Sequence, residues 1–266
     1  MAIYDCFQYF NEDNMIDLRM NILDKYVDYF VISESTKTHQ GENKKLNFNI
    51  NNFSKYRHKI KYLVAEYEDQ EISKHTGGES LVEKHQRNNI INGIEEAQDN
   101  DLILLSDSDE IPDLSKLNKI KNSTKYTAFS QMMFMYKLNL QNLNESNWIG
   151  SKACLKKHLP LPQKLRDMKF KDYPFWRIDK HNTQIIKGGW HFSFLQTPKD
   201  IIKKIKSYSH GEFNTKANTN EEKIKEKIKN NEDIFSRGFN LKKISIDNNF
   251  PKYIIENQIK LKEWII

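Results

Sequence analysis

The sequence predicts an α/β protein, a doubly wound, Rossmann-like sheet flanked by helices and folded as a single domain. Three observations carry that reading. Strand-like and helix-like stretches alternate three times before residue 106, the connections between them are short, and a wholly apolar strand ends on a crowd of acids. AIYDCF (2–7) forms the first strand. Asn14 then caps a helix to about Tyr26, with Ile16, Met20, Leu23 and Val27 at helical spacing. YFVIS (29–33) is the second strand, followed by the polar loop ESTKTHQGENKK, and IKYLV (60–64) is the third. Gly77-Gly78 precedes a long helix from Glu79 to about Gln98, whose Leu81, Val82, Ile90, Ile91, Ile94 and Ala97 keep mostly to one side. Leu102, Ile103, Leu104 and Leu105 are then a buried strand.

Beyond residue 125 the texture changes. TAFSQMMFMYKL (127–138), WIGSKACLKK and NTQIIKGGWHFSF read as further strands. Thr197-Pro198 is an N-cap and first-turn pair opening a helix to about Tyr208. TNEEKIKEKIKNN (219–231) reads as a solvated helix, and the tail from Phe250 is apolar enough to dock on the domain. No repeat and no Gly- or Pro-rich linker divides the chain.

Composition excludes several classes. At 266 residues with 38% hydrophobic and 12% aromatic content the chain buries a real core and is not disordered. The net charge of +6 is spread over scattered lysines, with no aromatic–basic surface motif, so no nucleic-acid partner is expected. Cys6 and Cys154 lack partners at metal spacing and do not make a disulfide scaffold. The start, MAIYDCFQYFNEDN, lacks the basic and apolar regions of a signal peptide, and no run is long enough to span a membrane. The expectation is a soluble, cytoplasmic protein, with peripheral membrane association left open and the oligomeric state unread.

Asp107, Asp109 and Glu110 crowd the strand's tip before Pro112. Carboxylates that close repel unless a cation or ligand offsets them. Ligands of open α/β sheets collect at the carboxyl ends of strands, and acids at i and i+2 there suit Mn²⁺ or Mg²⁺. A phosphatase-like reading, with the first Asp as phosphoryl acceptor, wants a Thr or Val where Ile111 stands. A reading in which the pair grips a metal-bound diphosphate suits the position and order better. In GGWHFSF (188–194), His191 is either a core histidine or a third metal ligand, and Trp190 or Phe192 offers a ring to a sugar face on the acceptor side.

Taken together, DCFQYFNEDNMIDLRMNIL, VDYFVISESTKTHQGENKKLNF, EKHQRNNI, SDSDEIP and GGWHFSF resemble glycosyltransferase family 17, in order from about Ile3 to Gly238. That family includes the bisecting N-acetylglucosaminyltransferase of animal Golgi and many bacterial and viral members, and this chain resembles the latter type. The resemblance implies a GT-A-like fold, an inverting mechanism, a UDP-sugar donor (UDP-N-acetylglucosamine) and a glycan or glycoconjugate acceptor. It divides the domain into a nucleotide-sugar half (about 1–112), an acceptor-side half (about 113–240) and a tail (241–266). Asp107 and Asp109 match the metal–diphosphate motif, with Ser108 between them and His191 as the further ligand. Glu34 and Arg87 fall in family-like segments near the nucleotide pocket. Glu34 either accepts from ribose hydroxyls or caps a loop; Arg87 either forks onto phosphate or makes a structural ion pair. The animal enzyme's membrane anchor has no counterpart before the first strand, so neither Golgi placement nor its bisecting reaction carries over.

An inverting transfer needs a base for the acceptor hydroxyl. Glu212 in YSHGEFN is the first candidate, with Asp172 and Asp179 as rivals. Lys203 and Lys204 either neutralise diphosphate or are simply solvated. A non-catalytic nucleotide- or sugar-binding protein is the alternative from another class.

Overall fold

The structure, a computed structural model, describes residues 1–67, 80–171, 182–208 and 211–266. Its first half alternates as the patterning requires. β1 (Ile3–Tyr9), β2 (Tyr29–Ser35), β3 (Ile60–Ala65) and β4 (Leu102–Ser106) lie parallel in the order β3-β2-β1-β4, with α1 (Asp13–Leu23) after β1 and α2 (Leu81–Asn88) before β4. Period-two alternation sends β1 side chains to both faces. Ile3 and Phe7 join a core with Met15, Ile16 and Met20 of α1, while Tyr4 and Cys6 join Ile90, Ile94 and Leu165 on the other face. Helices on both faces make the sheet doubly wound.

The second half is mixed in direction. It comprises β5 (Glu110–Pro112), β6 (Tyr126–Met135), β7 (Leu140–Asn142), β8 (Trp148–Leu155), α3 (Pro162–Asp167), β9 (Thr183–Ser193), α4 (Pro198–Ser207), α5 (Glu221–Lys229), β10 (Leu241–Lys243) and α6 (Lys252–Glu256). β8 runs antiparallel to β4 and carries the sheet on through β6, β7 and β10. β9 pairs in parallel with β6 and antiparallel with β5. A parallel half continued by a mixed half, in one ten-stranded sheet, is the GT-A-like arrangement expected of the chain. Phe250 and Ile254 are buried in the core beside α1, so the tail docks as its apolar residues imply. No helix among the described residues is long and apolar enough to cross a membrane.

Two helix starts differ from expectation. α1 begins at Asp13 rather than after Asn14, and Glu12 makes no side-chain cap. Its carboxylate instead accepts from the backbone N–H groups of Phe10 and Asn11 at 3.0 and 3.1 Å. The long helix expected from Glu79 to Gln98 is an α-helix only over Leu81–Asn88, then tightens to a 3-10 turn over Asn89–Ile94. The tightened turn lays Gly93 flat on the sheet, where a Cβ would stand 2.4 Å from Val31 and 3.0 Å from Leu63. Gly77-Gly78 lies outside the described residues, and Ser80 caps α2 by accepting from Glu83 N–H. Thr197 caps α4 as expected, accepting from Asp200 N–H at 3.3 Å.

Gly189 has a φ of +123°, and a Cβ there would stand 2.5 Å from the Ile111 carbonyl. Gly189→Ala is therefore expected to cost about 3 kcal/mol and loosen the β5–β9 pairing. Gly188→Ala, with no positive φ to keep, meets the flexible Lys116 side chain at 2.8 Å and Asp113 Cβ at 3.1 Å, and should cost less, about 1 kcal/mol. Urea unfolding of the two variants checks the contrast.

Candidate active site

β4 delivers the acids. Leu102, Ile103, Leu104 and Leu105 are all buried, with β1 on one side and β8 on the other, so the chain leaving Ser106 turns at the carboxyl edge of the parallel strands. Arg19 of α1 fixes that turn. Its guanidinium grips Asp5 through two hydrogen bonds of 2.6 and 2.7 Å, both side chains fully buried. Its remaining nitrogen donates to the carbonyls of Glu110 at 2.5 Å and of Asp107 and Ser108 at 3.3 Å.

Pairing of β5 with β9 then sets Glu110 opposite His191, and Phe192 N–H donates to the Asp109 carbonyl at 2.9 Å. His191 Nε2 thereby comes 3.5 Å from Asp109 Oδ1. The other oxygen of Asp109 faces Lys204 Nζ of α4 at 3.3 Å, and that ammonium is also 3.6 Å from Glu12. Asp107 points elsewhere, between two arginines: Arg87 NH2 at 3.1 Å and Arg166 NH2 at 2.7 Å. Arg166 forks onto Glu110 as well, at 2.8 and 2.9 Å, and the Trp148 indole N–H donates to the same carboxylate at 2.7 Å. Arg87 also donates to Glu83 at 2.8 Å and to Gln163 at 2.5 Å.

Burial would raise the Asp107 carboxyl, but Arg166 and then Arg87 outweigh it and hold it below the ordinary carboxylate range. At Asp109 the same opposition is won by Lys204 and then His191, which hold it well below that range. Burial would lower the His191 imidazole; Asp109 overrides it and raises the value. Lys204 likewise resists burial through Asp109 and Glu12, and its value rises.

The donor set suits a hard divalent cation in part. Cis ligands of an octahedral cation with bonds of about 2.1 Å stand about 3 Å apart, close to the Asp109–His191 separation. The buried His191 Nδ1, on the far side of the ring from Asp109, has no hydrogen-bond partner among the described residues, so a water or ligand group is needed there. Around the tip five carboxylates (Glu12, Glu83, Asp107, Asp109, Glu110) face Arg87, Arg166 and Lys204, so negative charge is in excess even when His191 is protonated. No three His, Cys, Asp or Glu side chains among the described residues already converge as a metal cluster. The residues fit a cation held by Asp109 and His191, while Asp107 has both oxygens on arginines.

Arg166 owes its place to Lys152 of β8, whose ammonium donates to the Arg166 carbonyl and, at 2.7 Å, to that of Met168. Burial first, then the Arg166 charge, pushes Lys152 down to about 8. Its folded value lies below the unfolded value near 10.4, so between about pH 8 and 10 the unfolded chain holds more protons. Stability carried by this group therefore rises with pH across that window and is lowest below it. In urea titrations, Lys152→Met should lose that rise, on the order of 2 kcal/mol.

Other expectations fall differently. Glu34 is fully buried, and its oxygens accept from Lys44, the N–H groups of Asn47 and Phe48, and the Tyr62 hydroxyl at 2.7 to 3.0 Å for the last three. It caps the 44–48 loop, one of the two roles the sequence allows it. Trp190 and Phe192 are core residues, not sugar platforms: Trp190 donates to the Asn249 carbonyl at 2.9 Å, and Phe192 stacks on Phe134 at 5.4 Å. Strand alternation explains this, since His191 faces the acids and its neighbours face the other way. The ring that does meet His191 is Trp148, at 4.9 Å. Ser108 is buried and joins the site through its carbonyl on Arg19. Arg87 makes the ion pairs of the structural alternative at a position beside the acids. Lys203 is solvated and pairs with Asp200, but Lys204 belongs to the site. Glu212 lies exposed on a turn after α4, close enough to Tyr208 to raise its hydroxyl, although burial contributes more. Asp172 and Asp179 lie outside the described residues. Glu110 was read as one of the acids crowding the tip but given no role, and Arg19, Glu12 and Arg166 were given none. Arg19 and Glu12 lie in a segment that carries the family resemblance; Arg166 lies in none.

The acidic turn, ringed by arginine, lysine and histidine, lies at the carboxyl edge of the parallel strands, the place where ligands of doubly wound α/β proteins collect. The profile of glycosyltransferase family 17 matches residues 1–238, and the chain belongs to that family. Membership implies a sugar donor and an acceptor. No curated protein matches the chain. Among solved structures it is similar to a glycosyltransferase involved in the glycosylation of the major capsid of PBCV-1 (13% identity, 70% of this chain and 82% of that one, TM-score 0.33). It is also similar to a putative glucose-1-phosphate thymidylyltransferase from Bacillus anthracis (11%, 71% and 88%, 0.38) and to the glycosyltransferase GlyE of Streptococcus pneumoniae TIGR4 (14%, 70% and 45%, 0.32).

Proposed function

We propose that the chain transfers a sugar, N-acetylglucosamine by its family resemblance, from a UDP-sugar to a glycan hydroxyl with inversion at the anomeric carbon. The observation that carries the reading is the Asp109–His191 pair, brought to 3.5 Å beside Asp107 by the β5–β9 pairing. These residues would hold Mn²⁺ or Mg²⁺, which when bound supplies positive charge to the departing UDP. The chain's own residues do the rest. Arg19 keeps the acidic turn rigid through the three carbonyls it holds. Arg87 and Arg166 keep Asp107 ionised and oriented, and Trp148 walls His191 from water. Glu212, Asp172 and Asp179 remain the candidate bases for the acceptor hydroxyl.

UDP release from a panel of UDP-sugars, with and without Mn²⁺, tests the reading. Metal-dependent release that prefers one sugar supports it and names the donor. If no UDP-sugar is turned over and UDP with Mn²⁺ fails to bind in calorimetry, the reading is wrong.

A further inference from the structure

We infer that the Lys204 ammonium is an exchangeable counter-ion, holding Asp109 in the cation-free protein and passing to the donor's diphosphate when a divalent cation takes Asp109. The inference rests on the metal-dependent donor binding proposed above. Lys204 Nζ stands 3.3 Å from Asp109 Oδ2 and 3.6 Å from Glu12 Oε1, on the side of Asp109 away from the oxygen that faces His191. A divalent cation bound by Asp109 and His191 would lie within a few ångströms of that ammonium. A double charge at that range repels the ammonium strongly and neutralises the carboxylate that holds it. The cation's arrival therefore offsets most of what keeps the ammonium on Asp109, and the ammonium is released to move.

Lys204 is the cation able to move. Arg87 is tied to Glu83, Gln163 and Asp107, and Arg166 is forked onto Glu110 and bound to Asp107. Lys204 offers a compact charge on a flexible four-carbon stem, and its side chain is 20% exposed. It also lines a small cavity of about 70 Å³ with Tyr9, Phe10, Lys37 and His39, at the carboxyl ends of β1 and β2. Rotation of the stem carries the ammonium from Asp109 toward that cavity with no change of backbone. Moving from carboxylate to phosphate keeps its charge paired throughout, so the site never holds an uncompensated ammonium.

The test measures binding in the full chain. Calorimetry of MnCl₂ without nucleotide, then of UDP into Mn²⁺-saturated protein, is run on the wild type, Lys204→Gln, Lys204→Met, Lys204→Arg and Asp109→Asn. Lys204→Gln should bind Mn²⁺ about tenfold more tightly and UDP about tenfold more weakly, each about 1.4 kcal/mol. Lys204→Met, a second neutral variant should the first fold poorly, should do the same, and Lys204→Arg should stay within about threefold of the wild type in both. A lysine with a merely structural role would weaken both ligands together. Unchanged or weaker Mn²⁺ binding in the neutral variants, with Mn²⁺ binding lost in Asp109→Asn, overturns the counter-ion role and leaves the metal site standing. Absence of Mn²⁺ binding in every variant, with or without UDP, overturns the metal reading and the exchange with it.

Discussion

Asp109→Asn should lower metal-dependent UDP release by roughly a thousandfold, about 4 kcal/mol of lost transition-state stabilisation. The amide keeps the shape of the carboxylate but not its charge. It leaves His191 without the partner that orients it, and Lys204 with only Glu12, at 3.6 Å. Steady-state turnover with saturating Mn²⁺ reads the loss. Melting by circular dichroism should place the variant within a few degrees of the wild type, because the backbone bond from Phe192 N–H to the Asp109 carbonyl is retained. Release within tenfold of the wild type would remove Asp109 from the metal site.

Arg19→Met should be the most destabilising single change in the site, at about 3–5 kcal/mol, because it strands the fully buried Asp5 carboxylate without its guanidinium. For a chain of this size that is a fall of roughly 10 °C in the melting midpoint. The double variant Asp5→Leu, Arg19→Met removes the stranded charge and should recover most of that stability. It should not recover turnover, because the carbonyls of Asp107, Ser108 and Glu110 would still lack their common donor. Urea unfolding and UDP release on the same preparations separate the two effects. Parallel recovery of stability and activity would mean that Arg19 serves the core alone.

The parallel half of the fold was legible because its signals are local. LILLS is buried on both faces, so it reads as an unbroken apolar run, and its acids follow directly in sequence. His191 was legible through its glycines and aromatic neighbours, but those neighbours turn into the core, as alternation along β9 from His191 outward requires. Glu34 stayed open between ribose and loop because a polar residue at a strand end looks the same whether it faces a ligand or holds a loop; its hydrogen bonds show the loop. Arg166 gave no signal at all. Its helix is six residues long, and it reaches Asp107 and Glu110 only because β8 returns beside β4 and Lys152 fixes the helix end. Contacts of that kind depend on which strands neighbour one another, and pairing across a mixed sheet is not written in any one segment.

The register that sets Glu110 against His191 also governs when the protein becomes competent. β1 to β4 draw only on residues up to Ser106, so a chain emerging from the ribosome can assemble its parallel half early. The tip at that stage has its carboxylates and Arg87, but neither the arginine of α3, the histidine of β9 nor the lysine of α4. Its charges repel until those late segments arrive, and β9 must find both β5 and β6 across a long stretch of chain. High contact order of this sort slows folding. The final closing of β9 is therefore the step at which the nascent protein turns from a half-sheet with an unstable anionic edge into something that can work.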